Sequence, residues 1–244
     1  MTAGAPIRLM TWNIHRAIGP DGTYDLDRVA AVIGRHRPDV IALQEVDTRG
    51  ILELEARPLA VLARSFGPHA VEARTIVAPD GHYGHAVLSR WPLVDAETVE
   101  LTVRDYEPRS AILCTAETPG GALGIATVHL GLAPGERRLQ AGRVLAALAA
   151  RARPSVLMGD FNDWLGVGVV RRRLAAALGA PTALATFPAR LPLFSLDRLY
   201  CPAPLRILRS WTDRTAAGAS DHLPVIADVG FAAEGGERPP PAAS

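Results

Sequence analysis

The sequence predicts an α/β fold in which two packed sheets carry helices on their outer faces. Short apolar runs with strand character outnumber amphipathic stretches of helical period. The helical stretches fall at intervals in both halves of the chain, so each sheet has helices of its own to cover it. Several strand-like runs also end in Asn, Glu, His or Asp, residues that need a partner at the rim of a core.

Residues 7–13 read as the first strand, followed by a loop with Gly19, Pro20, Asp21 and Gly22. Asp25 caps a helix running to about His36, with Leu26, Val29, Ala30 and Ile33 on one face and Pro38 as its stop. Residues 39–45 form a buried strand. A second helix is expected over 52–66, with Pro58 near its start or at a kink. Between 70 and 128 short alternating runs are separated by Pro, Gly and Asp. The runs 86–89, 111–117 and 122–128 are strands, with Pro119-Gly120-Gly121 as a hairpin turn. Pro134-Gly135 opens a third helix to about residue 152, with Arg137, Gln140 and Arg143 on its polar side. A strand over 155–159, a helix over 167–178 and strands near 198–201, 205–208 and 224–229 complete the pattern. No repeat or linker interrupts residues 1–231, which are expected to form one catalytic domain. The Gly/Pro/Ala/Ser-rich tail 232–244 is expected to be disordered.

Composition narrows the function. The chain has 244 residues, 26 basic and 25 acidic, for a net charge of +1. A chain this long buries roughly 70–75% of its unfolded surface and needs no covalent staples. The near-neutral balance argues against tight, sequence-independent binding of long nucleic acid, while leaving room for a local basic groove. Every permanent cation is an arginine, which suits bidentate phosphate contact, although the absence of lysine reads first as base composition. Cys114 and Cys201 form no disulfide framework or zinc spacing, and Cys114 reads as a buried thiol. The first strand begins within a few residues of Met1, which leaves no room for a signal peptide, and no apolar run could span a bilayer. A cytoplasmic protein is expected; composition leaves its oligomeric state open.

The polar residues Asn13, Glu45, His129, Asp160, Asn162, Asp197, Asp221 and His222 lie in or beside the strand-like runs. Strand ends converge in space, and carboxylates, amides and imidazoles gathered there are expensive to desolvate unless they hold a metal or a charged substrate. That combination suits metal-assisted phosphoester hydrolysis. Gly159-Asp160-Phe161-Asn162 places two short polar side chains in one turn after a strand, and Ser220-Asp221-His222-Leu223-Pro224 sets an Asp-His pair before another.

In this order the motifs resemble the endonuclease/exonuclease/phosphatase superfamily, which includes DNase I-like nucleases, abasic-site endonucleases, inositol polyphosphate phosphatases and bacterial sphingomyelinases. The resemblance runs from Thr11 to Val229. Asn13-Ile14-His15, the run 38–47 and Leu88-Ser89-Arg90-Trp91-Pro92 are similar to one bacterial branch of metal-dependent hydrolases. It implies a four-layer α/β/β/α sandwich of two mostly antiparallel sheets with outer helices, and Mg2+ as cofactor with Mn2+ as the alternative. By the same resemblance Glu45 is the main metal ligand, with Asn13 beside it and Asp221 near the ion. Mg2+ prefers one or two carboxylates and keeps several waters. Asp160 and Asn162 would position the attacking water and a phosphate oxygen, His129 would donate to the phosphate, and Asp197 would pair with His222. Whether an Asp or His222 is the base stays open.

Other residues carry weaker expectations. Arg109 either reaches a phosphate from a strand start or lies on the surface; His15, with Arg16, either lines the mouth or sits in a solvated loop. His85 stands where the branch often has Asn and takes no role. Trp12, Trp91 and Trp164 are expected in the core or at its rim. The function expected is divalent-metal-dependent hydrolysis of a phosphodiester or phosphomonoester, on a small or lipid-linked substrate. The alternatives are a nonspecific endonuclease or exonuclease on DNA, and a non-catalytic phosphate-binding protein on the same fold.

Overall fold

The computed structural model describes residues 5–51, 53–164 and 168–231. Two mixed sheets pack face to face. The first contains β1 (Ile7–Asn13), β2 (Val40–Asp47), β3 (His69–Ala78), β4 (Gly81–Ser89), β10 (Leu205–Thr212) and β11 (Val225–Phe231), in the order β10-β11-β1-β2-β4-β3. The second runs in sequence order through β5 (Leu93–Glu100), β6 (Ser110–Thr118), β7 (Gly121–His129), β8 (Ser155–Asp160) and β9 (Asp197–Tyr200). Helices α1 (Leu26–His36) and α2 (Pro58–Phe66) cover the first sheet; α3 (Pro134–Ala149) and α4 (Val169–Leu178) cover the second.

Three apolar layers follow from the period of two along each strand. In β1, Leu9 faces the other sheet, whereas Met10 and Trp12 face α1 and α2. In β8, Val156 and Met158 enter the same inter-sheet layer, and Leu157 faces α3 and α4. Strands buried on both faces read as continuous apolar runs, which is why β1, β2 and β8 were visible in the sequence. The edge strands β3 and β5 were not, because their half-exposed faces carry Glu72, Arg74, Asp95 and Glu97 among the apolar residues.

The expected helix over 52–66 is shorter. A single 3-10 turn (Leu54–Ala56) precedes α2, and Pro58 sits at its first turn, where a missing N–H costs nothing. The third helix ends at Ala149 rather than near 152. The expected start of α4 at 167 and the tail 232–244 lie outside the described residues. A second correction concerns α3. Arg137 and Gln140 are buried rather than solvated. Gln140 Oε1 accepts the Gly131 N–H at 2.8 Å, and Arg137 donates to the Gly131 carbonyl. The buried loop after β7 needs partners for its backbone, and the first turns of α3 supply them.

Two connections decide where function can sit. β1-α1-β2 and β7-α3-β8 each join parallel neighbours through a helix, one unit in each sheet. Parallel pairing puts both strand C-termini of a unit at the same end of its sheet. Among the described residues no helix is long and apolar enough to cross a membrane.

Candidate active site

The two helix-linked pairs bring Asn13 and Glu45 to the end of one sheet, and His129 and Asp160 to the facing end of the other. β9 runs antiparallel to β8, so its first residue, Asp197, lies opposite Asp160, and His129 is in register with Asp160 on the other side. β11 runs antiparallel to β1, so the segment before it brings His222 to the same mouth. Ser220 Oγ fastens that segment by donating to the Asn13 carbonyl at 2.7 Å and accepting the His222 N–H at 3.1 Å. Trp12 Nε1 donates to the His222 carbonyl at 2.8 Å. Beneath the mouth, Gln44 spans the seam by hydrogen bonds to Thr11 and Thr127, one from each sheet.

Glu45 reaches the site through a bulge. The pairing of β2 with β4 shifts between Gln44 and Val46, and Glu45 takes a left-handed conformation with φ 57°. The extra residue lets Gln44 and Glu45 both turn toward the other sheet, while Val46 returns to the α1 side. Asn162, the turn residue after β8, is also left-handed at φ 49°. Non-glycine residues held there store backbone strain of about 1–2 kcal/mol each, a device that gathers at functional sites.

Asp160 is the hub. Its Oδ2 receives Asn13 Nδ2 at 3.1 Å and lies 3.6 Å from His129 Nε2 and 3.9 Å from His222 Nε2. Its Oδ1 accepts the Asn162 N–H at 2.9 Å. Burial and the charge of Asp197 push its carboxyl pKa up. Asp197 is fully buried; its Oδ2 accepts from His222 Nδ1 at 2.8 Å and from Thr186 Oγ1 at 2.6 Å. Burial on its own would lower the His222 pKa, but Asp197, then Asp160 and Asp221, raise it to about 10. These carboxylates favour the charged form of the ring, whose Nε2 lies 3.9 Å from Asp160 Oδ2. Of the two settings left open for His222, this environment favours the charged one. His129 is the opposite case: burial first, then Arg109, His85 and His222, push its pKa well below the usual value.

Asn13, Glu45, His129, Asp160, Asn162 and His222 line a cavity of about 430 Å³, and Arg109 joins them. Arg109 is buried, which settles its two expected settings against the surface. Arg16, not His15, is on the cavity wall. His15 Nδ1 donates to the Ile18 carbonyl at 3.0 Å and lies 3.9 Å from the half-buried Asp221 carboxylate. Asp197 sits behind His222, and Asp221 flanks the mouth outside the wall. Arg49, Tyr83 and Glu107 also line the cavity; none was legible in the sequence, since each comes from a loop or near a strand end placed only by the fold. Trp12 is core, Trp91 packs on the inter-sheet layer, and the exposed Trp164 stacks edge-on to Phe187, whose ring lies 4.8 Å from that of His222.

The donor set fits a hard divalent cation on the Glu45 side. Among the described residues Glu45 takes one hydrogen bond, from Asn13 Nδ2 at 3.0 Å, and its half-buried carboxylate faces the cavity. Asp160, Asp197 and His222 also place one ligand-type atom each within 4.8 Å of one another. Within that triple, His222 Nδ1 and Asp197 Oδ2 are already hydrogen-bonded to each other at 2.8 Å. Asn13 accepts the His15 N–H at 3.0 Å through Oδ1, so its nitrogen faces the carboxylates. Through that nitrogen it holds Glu45 and Asp160 together.

Comparison with known proteins gives a consistent result. A family model described as Endonuclease/Exonuclease/phosphatase family matches residues 10–222. The Escherichia coli (strain K12) protein YbhP is 30% identical, covering 91% of this chain and 95% of that protein. The crystal structure of an endonuclease/exonuclease/phosphatase from Beutenbergia cavernae DSM 12333 superposes with a TM-score of 0.78 at 26% identity, covering 94% of this chain and 72% of that one. The human Nocturnin catalytic domain superposes with a TM-score of 0.69 at 21% identity, covering 93% and 94%, and shares the fold.

Proposed function

The chain belongs to the endonuclease/exonuclease/phosphatase family of phosphoester hydrolases, and from that premise we propose that it is a divalent-metal-dependent phosphoesterase acting by attack of water. The observation that carries this reading is the convergence of Asn13, Glu45, His129, Asp160 and His222 on one polar cavity fed by both sheets. A phosphodiester or phosphomonoester that is small or lipid-linked is the favoured substrate. The net charge of +1 supports that choice over a long nucleic acid.

Glu45 would hold Mg2+ or Mn2+, with Asp221 assisting through retained waters, and the ion would neutralise charge on phosphoryl oxygens. The chain's own groups do the rest. Asp160, raised toward neutrality and fixed by Asn13 and the Asn162 N–H, accepts the proton of the attacking water. His129 donates from Nε2 to a phosphoryl oxygen. His222, held by Asp197, stabilises developing negative charge and can protonate the leaving oxygen. Asn162 commits one amide hydrogen to the Leu130 carbonyl at 2.8 Å, leaving the second for the cavity. Arg16 and Arg49 on the wall are the cations that would follow a phosphate backbone in the DNA-cleaving alternative.

The test is hydrolysis of bis-p-nitrophenyl phosphate with Mg2+ or Mn2+ by the wild type, Glu45→Ala and His222→Ala. The wild type should turn over and both variants should fail. No hydrolysis of any phosphoester with any divalent ion would leave the non-catalytic phosphate-binding reading. Plasmid DNA against phospholipid substrates separates nuclease from lipid activity.

A further inference from the structure

We propose that Arg109 is a positioning residue that fixes His129 with its single proton on Nε2, directed into the cavity, so that His129 acts as a hydrogen-bond donor and not as a base. The inference deepens the phosphoesterase reading of the cavity and rests on it.

The argument is one of donors and acceptors. A guanidinium can only donate, and Arg109 Nη1 lies 2.9 Å from His129 Nδ1. Nδ1 must therefore offer its lone pair, which leaves the ring proton on Nε2. A second proton, on Nδ1, would face the guanidinium head-on. Both side chains are buried, with residue exposures of 6% for Arg109 and 5% for His129, so water offers little competition.

Arg109 is itself held in place. It precedes β6, and the antiparallel pairing of Ala111 with Val128 sets it diagonally beside His129. Its N–H donates to Thr102 Oγ1 at 3.1 Å, its carbonyl accepts the Leu101 N–H, and Nη2 lies 3.4 Å from Glu107 Oε2. On the far side of the ring, Nε2 is 3.6 Å from Asp160 Oδ2, too far for a good hydrogen bond. That N–H is left to a ligand. A donor whose proton position is set before substrate arrives needs no reorganisation when charge grows on a phosphoryl oxygen.

The experiment is a long-range proton–nitrogen NMR spectrum of the histidine-labelled, chelator-treated full chain, paired with kinetics on bis-p-nitrophenyl phosphate. In the wild type His129 should show the Nε2–H tautomer. Arg109→Met should admit the Nδ1–H tautomer and lower kcat by about 10-fold or more with little change in KM, a share of the ~10²–10³ lost when such a donor is removed outright. Arg109→Lys, which keeps one donor, should restore the tautomer and most of kcat. An Nδ1–H tautomer in the wild type would overturn the proposal without any variant. So would a raised KM with unchanged kcat in Arg109→Met, which would make Arg109 a direct phosphate contact. If the wild type hydrolyses nothing, the phosphoesterase reading fails, while the spectrum still decides where the proton sits.

Discussion

Replacing Asp197 by Asn should remove the main reason that His222 is charged. The Asp197 carboxylate contacts His222 Nδ1 at 2.8 Å and is the largest influence opposing the effect of burial. Together with Asp160 and Asp221 it lifts His222 from 6.5 to about 10. At about 1.4 kcal/mol per pH unit the lift amounts to a ceiling on the order of 5 kcal/mol, shared among three carboxylates. Among the described residues Asp197 is the carboxylate hydrogen-bonded to His222, so its removal should lower the His222 midpoint by about two pH units. The folded value lies above the unfolded one. The stabilisation is therefore complete below about pH 6.5 and is lost as pH rises through about 10. Wild-type, chelator-treated protein should lose stability to urea between about pH 7 and 10, and Asp197→Asn should be flatter over that window. The variant also starts lower, because among the described residues Asp197 Oδ1 has no hydrogen-bond partner and an amide placed there leaves a buried donor unmet, at about 1–3 kcal/mol. The pH slope, not the absolute stability, is the readout, with a histidine NMR titration beside it. A wild-type His222 that titrates near its ordinary value, or a midpoint unmoved by the substitution, would refute the reasoning.

Other expectations follow from individual residues. Glu45→Ala and Glu45→Gly should both lose at least ~100-fold in hydrolysis. Glycine should nonetheless be the more stable by about 1 kcal/mol in urea unfolding, because position 45 has φ 57°. Gly159→Ala should unfold at least ~3 kcal/mol more easily in urea titrations, since an added Cβ would lie 2.0 Å from the Val128 carbonyl oxygen where β7 pairs with β8. Asn162→Ala should lower kcat more than substrate affinity in steady-state kinetics; weakened binding at unchanged kcat would make its free amide hydrogen a substrate contact. A chelator should abolish hydrolysis, with recovery on adding Mg2+ or Mn2+, and the return of colour from p-nitrophenol reports it.

The strands that end in the polar set were legible because burial on both faces leaves long apolar runs, and the helix at Asp25 because its cap was written in one residue. Asp25 does accept the Arg28 N–H. Convergence of the polar residues was legible in outline for the same reason: each lies at a strand end. The rest depended on geometry that local composition does not encode. No residue near Glu45 announces a bulge, since the left-handed turn is imposed by pairing with β4. Arg137 and Gln140 look like a solvated helix face, and only the chain path after His129 buries them. The charge state of His222 was open in the sequence, because the three carboxylates that raise its pKa meet only in the folded state.

Asn13, Glu45 and His222 come from one sheet, and His129, Asp160 and Asn162 from the other, so neither half of the molecule owns a working set. Hydrolysis thus doubles as a gauge of how the halves abut. Trimming Met158 or Leu9, buried between them, would let the halves settle nearer or slide, and turnover should falter at doses of urea that leave the helical signal intact.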